Sequence, residues 1–202
     1  MLRLLNFMDR ERFQRAITAF DRANAEDPNL IEQSGVSRPR ELVQAERLSV
    51  WVTRLEPEAS EPLLLAARCQ HIRRWQIPRG SYPPGRVGYL QWRTELGRFH
   101  ADTAARILDE LGYERELSDA VRRINTKQGL RSNPDTQTIE DALCLAFLAF
   151  ELDEFSRKYP AEKVLEVLQK TWKKMSARGH ELALKLPFSA EALALVQRAL
   201  SG

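Results

Sequence analysis

The chain has 202 residues, 43% of them hydrophobic, with 31 Lys and Arg against 28 Asp and Glu and a net charge of +3. That length and apolar share suit one globular domain with a substantial core and exclude wholesale disorder. No run approaches the roughly 20 apolar residues that a bilayer crossing needs, so a membrane span is excluded as well.

The first ten residues carry an apolar patch too short for a signal-peptide core and lack a small-residue cleavage site, which points to a cytoplasmic protein. Residues 9–23 read as an amphipathic helix, with Phe13, Ile17 and Phe20 at helical spacing. A loop rich in Asp, Pro, Asn, Ser and Gly follows over residues 24–39. The pattern predicts a second helix over about 39–55, stopped by Pro57, and a third from Ser60 to about Trp75. The stretch Gln76-Ile-Pro-Arg-Gly-Ser-Tyr-Pro-Pro-Gly-Arg holds three prolines and two glycines, which forbid a helix. A loop of that length in a compact domain is often functional. Helices are predicted again over about 88–111, capped by Gly112, and over 114–127. After a turn at Asn133-Pro-Asp-Thr comes a strongly apolar helix over about 137–155. The last third predicts helices near 160–175 and 189–200, with a short helix or turn between them. No alternation typical of strands is evident, so the expected fold is an all-α, single-domain helical bundle over 1–202.

Charge is distributed unevenly. Between residues 68 and 98 there are seven arginines and one acid, Glu95. Such a segment suits an anionic partner, a phosphate or a nucleic-acid backbone, or is a solvated basic face. The cysteines, Cys69 and Cys144, lie in apolar helical patterns with neither metal-ligand nor disulfide spacing. There is no Walker loop, no dinucleotide fingerprint and no Gly-x-Ser-x-Gly elbow, which removes most of the case for a kinase, dehydrogenase or serine hydrolase.

Only three histidines occur, so their surroundings are informative. His71 ends the run Leu65-Ala-Ala-Arg-Cys-Gln-His. His100 opens His100-Ala-Asp-Thr-Ala-Ala-Arg-Ile-Leu and leads to Gly112. Glu140 and Asp141 precede Ala142-Leu143 at the head of the apolar helix. Each has an ordinary explanation: helical histidines often sit in cores, and acids at a helix start answer free backbone N–H groups.

Together these segments resemble the HD-domain superfamily of metal-dependent phosphohydrolases over about residues 40–150. The Ala66-Ala67-x-x-x-His71 run, the His100-x-x-x-Ala104-x-x-x-Leu108-x-x-x-Gly112 helix and Asp141-Ala142-Leu143 match three of its elements. The resemblance implies an HD-like core over about 40–155 with a helical appendage over 160–202. Two positions depart from the pattern. Ile72 stands where the family places an Asp, and Glu46 falls near the family's first His. The chain also resembles the DUF4202 family, through Gln70-His-Ile-Arg-Arg-Trp-Gln-Ile-Pro-Arg79, Arg86-Val-Gly-Tyr-Leu-Gln-Trp-Arg93 and Lys170-Thr-Trp-Lys-Lys-Met-Ser176; that resemblance implies no particular activity.

If Glu46, His71, His100 and Asp141 lined one bundle core, two nitrogens and two carboxylates would suit Zn²⁺, Mn²⁺ or Fe²⁺ better than Ca²⁺. A metal so held would activate water for attack on a phosphoester. Glu140 would then serve as general base or as a partner to the ligands, and Lys127 would join at the phosphate. Arg73, Arg74, Arg79 and Arg86 would hold the substrate's phosphate oxygens. Tyr82, with Trp75, Tyr89 and Trp92, would stack on a base or pack locally. His180 and the Lys170–Lys174 cluster read as local packing and a basic face.

The leading expectation is a metal-dependent hydrolase of a phosphorylated small molecule or nucleotide. One rival is a non-catalytic HD-like module that binds a nucleotide or RNA after losing the metal, which Ile72 favours. Another is an HD-type iron oxygenase.

Overall fold

The computed structural model describes residues 7–130 and 132–201, with side-chain surroundings from residue 10 onward. The apolar start at residues 1–6 lies outside the described residues. The chain divides into two compact units, 1–136 and 137–202.

The first unit opens with α1 (Phe7–Ala25). It buries Ala16, Phe20 and Ala23, while Phe13 and Ile17 are half-buried. Two polar residues at its end, Asn24 and Asp27, are also buried, and both are anchors. Asp27 Oδ1 accepts from the backbone N–H and side-chain amide of Asn29 at 2.9 and 2.8 Å, and its Oδ2 accepts from the Glu41 N–H at 3.0 Å. The second bond supplies α2 (Arg40–Leu55) with a capping carboxylate, because its own N-cap, Pro39, has no side-chain acceptor.

Between α1 and α2 the structure corrects the sequence reading. Residues 24–39 are not all loop: β1 (Leu30–Gln33) pairs antiparallel with β2 (Val36–Pro39), Leu30 opposite Pro39 and Gln33 opposite Val36. Ser34 and Gly35 make the turn with φ of 52° and 77°. Two successive positive φ values match strand twist in a two-residue hairpin. The strands escaped notice because they are four residues long and largely exposed, with no buried face to impose alternation.

Helix α3 (Glu61–Cys69) starts at Ser60, whose Oγ accepts from the Leu63 N–H at 3.3 Å. Leu63, Leu65, Ala66, Ala67 and Cys69 are all buried, because α3 packs against α1, α2 and α5. It ends earlier than expected. Arg73 adopts a left-handed φ of 52°, and its N–H is held by the buried Asn24 side chain at 3.2 Å. Two short 3-10 turns follow, at Arg74–Gln76 and Arg79–Ser81.

The proline-rich loop is pinned onto α4 (Gly85–Glu110). Trp92 Nε1 donates to the Ile77 carbonyl at 2.9 Å. A Cβ on Gly88 would lie 2.0 Å from the Pro83 carbonyl oxygen, so only glycine permits this approach. At the far end Gly112, with φ of 73°, terminates the helix as expected. Helix α5 (Arg115–Asn125) then packs on α3 and α4, burying Val121, Ile124 and Asn125.

Helix α6 (Pro134–Phe150) begins in the first unit and continues into the second. It stops before the expected 155; after Glu151 the chain restarts as α7 (Leu152–Lys158). Helices α8 (Ala161–Lys174), α9 (Ala177–Ala183) and α10 (Ala190–Leu200) complete the second unit, in which α10 packs on α7 and α8. The fold is all-α apart from the hairpin. Among the described residues no helix is long and apolar enough to cross a membrane.

Candidate functional site

Two of the expected site residues meet. His71, just past α3, and His100, midway along α4, lie with ring centroids 5.9 Å apart. His100 is 3% exposed, and its Nδ1 sits 2.7 Å from the Ile72 carbonyl oxygen. A carbonyl only accepts, so Nδ1 carries the proton and Nε2 is left as a lone-pair acceptor. That Nε2 is buried and has no hydrogen-bond partner. Burial, with the charges of Arg74 and Arg93, pulls the His100 imidazole down to about 4, against the opposing effect of the Ile72 carbonyl. The ring is therefore neutral at physiological pH.

His71 is half-buried and its imidazole makes no hydrogen bond among the described residues. Burial holds it well below its ordinary value, and Arg74, His100, Arg93 and Lys127 push in the same direction. Arg74, Arg93 and Lys127 belong to the 3-10 turn after α3, to α4 and to the stretch just past α5. Arg74 is held with its guanidinium 5.2 Å from the Trp92 ring centroid. Lys127 stands in a left-handed conformation with φ of 57°. Arg93 is exposed and has no ion pair among the described residues. The sequence reading counted Arg93 among the seven arginines but gave it no role. Its signal was present: seven residues before His100 on one helix is two turns, which places both on the same side of α4.

The pair is backed by a buried polar layer. Gln70 Nε2 donates to the Asn125 carbonyl at 3.2 Å, and Asn125 Nδ2 donates to the Cys69 Sγ at 3.2 Å. Burial pushes the Cys69 thiol up to about 12, so it is protonated and unreactive at neutral pH.

The other expected ligands have partners of their own. Glu46 takes Arg38 in a bidentate pair, 2.8 Å at each oxygen, with Arg68 at 3.9 Å. Asp141, in the second unit, accepts from the Ser176 N–H at 2.8 Å and the Ser176 hydroxyl at 2.5 Å, and from Gln137 Nε2 at 3.0 Å. It anchors the start of α9. Glu140 is buried with Lys174 Nζ 3.3 Å away. Within each unit, among the described residues, no group of three or more His, Cys, Asp or Glu side chains is arranged to hold a metal ion. Two imidazole donors of the expected four-ligand set stand together; both carboxylates are engaged.

The arginines of the loop also divide. Arg73 pairs with Glu26 at 3.0 Å. Arg79 donates to the carbonyls of Tyr82, Pro83 and Gly85 at 3.0, 2.9 and 3.4 Å, so it is a brace of the loop. Arg86 is exposed and has no ion pair among the described residues. Tyr82 lines an open groove of about 660 Å³ with Leu90, Gln91, Thr94, Glu95 and Arg98. Its phenol is raised by burial and by Glu95 beside it. Trp92 is an anchor, while Tyr89 is 46% exposed with its ring 5.9 Å from that of Trp92. His180 lies flat on Trp172, rings 4.0 Å apart, with Nε2 2.9 Å from the Trp172 carbonyl oxygen; it is a local packing residue.

A family model described as domain of unknown function (DUF4202) matches residues 14–196. No curated protein and no solved structure matches the chain.

Proposed function

We propose, for a chain that belongs to the DUF4202 family, that its role is to bind a phosphorylated small molecule or nucleotide beside the His71–His100 pair. The observation that supports this reading is the buried Nε2 of His100, which has no hydrogen-bond partner among the described residues, on the same side of α4 as exposed Arg93, which has no ion pair among them. An anion placed there would offset the charge of Arg93. Guanidinium groups present two donors each to phosphate oxygens, and exposed Tyr89 offers a stacking face for a base. The buried free thiols Cys69 and Cys144 accord with a cytoplasmic setting.

The test is calorimetric titration of nucleoside mono- and diphosphates at low salt. Binding that weakens at least tenfold in Arg93→Ala and weakens with added salt supports the reading. Absence of binding, or binding that Arg93→Ala leaves unchanged, removes it.

A second reading, metal-dependent hydrolysis of the same ligand class, is favoured by one feature. The imidazole of His100 has its Nδ1–H fixed by a backbone carbonyl and its Nε2 free, which is how metal-ligating histidines are usually oriented. Against it, Glu46 and Asp141 would have to leave their present partners to complete a Zn²⁺, Mn²⁺ or Fe²⁺ shell. Elemental analysis of the purified protein beside a His71→Ala/His100→Ala variant decides: near-stoichiometric metal lost in the variant supports this reading, and no metal after all three ions are offered ends it.

A further inference from the structure

We infer that the exposed face of α4 is a docking seat for an acidic amphipathic helix of a protein partner, whose apolar side chains pack on Val87, Leu90, Thr94 and Gly97 and whose acids meet the arginines on either side. The inference goes beyond the anion-binding reading above and does not depend on it.

Helix α4 has two unlike faces. Gly88, Trp92, Leu96 and His100 recur every four residues and are all buried, so this stripe faces the protein's own core. The opposite stripe is open. Val87 is 72% and Leu90 52% exposed, and Thr94 is exposed as well. With Gly97 they stand at spacings of three, four and three, the a and d positions of two heptads. A β-branched residue at a and a leucine at d suit a two-stranded pairing. Gly97 adds a hole. A Cβ built on it would meet nothing within 4 Å beyond its own helix among the described residues, in contrast with Gly88 against Pro83. Glycine weakens a helix interior, and here it leaves room for a large side chain of a second helix. The seam ends where the next a and d positions, Ala101 and Ala104, are buried by the protein itself. The open groove beside Tyr82 borders Leu90, Thr94 and Arg98 on one flank.

Charge identifies the occupant. The e and g positions that flank the seam are Arg86, Gln91, Arg93 and Arg98. All four are exposed, and none of the three arginines has an ion pair among the described residues. The only acid over this stretch of α4, Glu95, stands off the seam beside the Tyr82 phenol. Residues at e and g meet across a helix pair, so acids on the partner would neutralise these arginines. The same positions count against a second copy of this chain. In a parallel pair Arg93 would face Arg98, and in an antiparallel pair Arg86 would face Arg93. The aliphatic centre of the seam offers a nucleic acid no stacking surface, and two such side chains are a small anchor for a bilayer.

The experiment is a selection by the full chain from a display library of three-heptad helical peptides, with Leu, Ile, Val or Ala at a and d and Glu, Gln or Lys at e and g. Enrichment of glutamate at e and g on the wild type is the expected result, with the selected peptides binding at least tenfold more weakly to Leu90→Glu. Repeating the selection on Arg86→Glu/Arg98→Glu should turn the preference toward lysine, which a merely adhesive surface would not do. The wild-type selection stands as a test by itself if a variant does not fold. No enrichment, or enrichment indifferent to charge or to Leu90→Glu, would overturn the inference. So would binding of poly(U) RNA or phosphatidylserine vesicles, or dimerisation in sedimentation velocity, that Leu90→Glu abolishes while no acidic peptide is enriched. None of these variants alters His71, His100 or Arg93, so the anion-binding reading stands or falls separately.

Discussion

The Nδ1 of His100 lies 2.7 Å from the backbone carbonyl oxygen of Ile72, and Ile72 itself is completely buried. The position at which the HD pattern has an acid is therefore filled here by an apolar side chain turned into the core, while its backbone orients a histidine from the next helix. A carboxylate there would be desolvated, which disfavours its charged form. The chain has put its polar contact on the backbone, which needs no ionisable group.

A neutral, buried His100 makes stability depend on pH. Its folded pKa of about 4 lies below the ordinary 6.5, so the unfolded chain binds the proton more readily. The stabilising contribution is fully present above about pH 6.5 and is lost as pH falls toward 4. From the size of that depression the loss is on the order of 3 kcal/mol. Urea unfolding at pH 7 and pH 4.5 should show it, and His100→Gln should flatten this part of the profile. A profile that stays unchanged in the variant would mean other groups titrate in this range.

Asp141 should behave as a structural residue of the second unit. Its carboxylate receives three hydrogen bonds, two of them from Ser176. Removing it in Asp141→Ala leaves the part-buried N–H and hydroxyl of Ser176 without this acceptor and is expected to destabilise by about 1–3 kcal/mol. Gly179→Ala should reach the same contact from the other side. Its new Cβ would sit 2.9 Å from the Asp141 carboxylate, and overpacking of this kind costs about 1–3 kcal/mol. Thermal melts of the two variants test this. An Asp141→Ala protein as stable as the wild type would return the residue to the list of candidate ligands.

Arg79 is expected to matter to the loop and little to ligand. With the guanidinium that donates to three backbone carbonyls gone in Arg79→Ala, amide exchange over residues 77–85 should accelerate. Affinity for the anion should change less than twofold. A tenfold loss of affinity with unchanged exchange would instead place Arg79 on the ligand.

Most of the helical order was legible because it depends on local chemistry. The Gly112 cap, the Ser60 start and the proline-rich interruption are each set by a few adjacent residues, and the structure has all three. The hairpin was missed because four exposed residues per strand leave no buried face to read. In the site, His71 and His100 were grouped with Glu46 and Asp141 on the HD resemblance, and the two rings do lie near each other. Partner choice was not legible. Nothing in the local sequence tells that Glu46 is taken by Arg38, that Arg79 spends its donors on three carbonyls, or that Asp141 seats Ser176. Those outcomes depend on which elements pack together, and a carboxylate or guanidinium looks the same beforehand whether it awaits a ligand or braces a turn.

Lys127 offers the sharpest separation of stability from function. It lies two residues past α5 in the left-handed region, φ 57°, where a side chain with a Cβ is disfavoured by roughly 1–2 kcal/mol. Gly129 two residues on and Gly112 before α5 show glycine at comparable left-handed positions nearby. A lysine kept at such a place is the kind of local strain associated with binding sites, and its charge is among those that reach His71. Lys127→Gly should therefore raise stability by about 0.5–1 kcal/mol, after allowing for the greater freedom of glycine in the unfolded chain. The same variant should bind phosphate at least tenfold more weakly. Lys127→Asn, which tolerates the left-handed region and has no charge, should lose the affinity while keeping part of the stability gain. Urea unfolding and phosphate titration on the three proteins check both halves. Affinity that survives in both variants would take Lys127 out of the site and leave its conformation to be explained by the end of α5 alone.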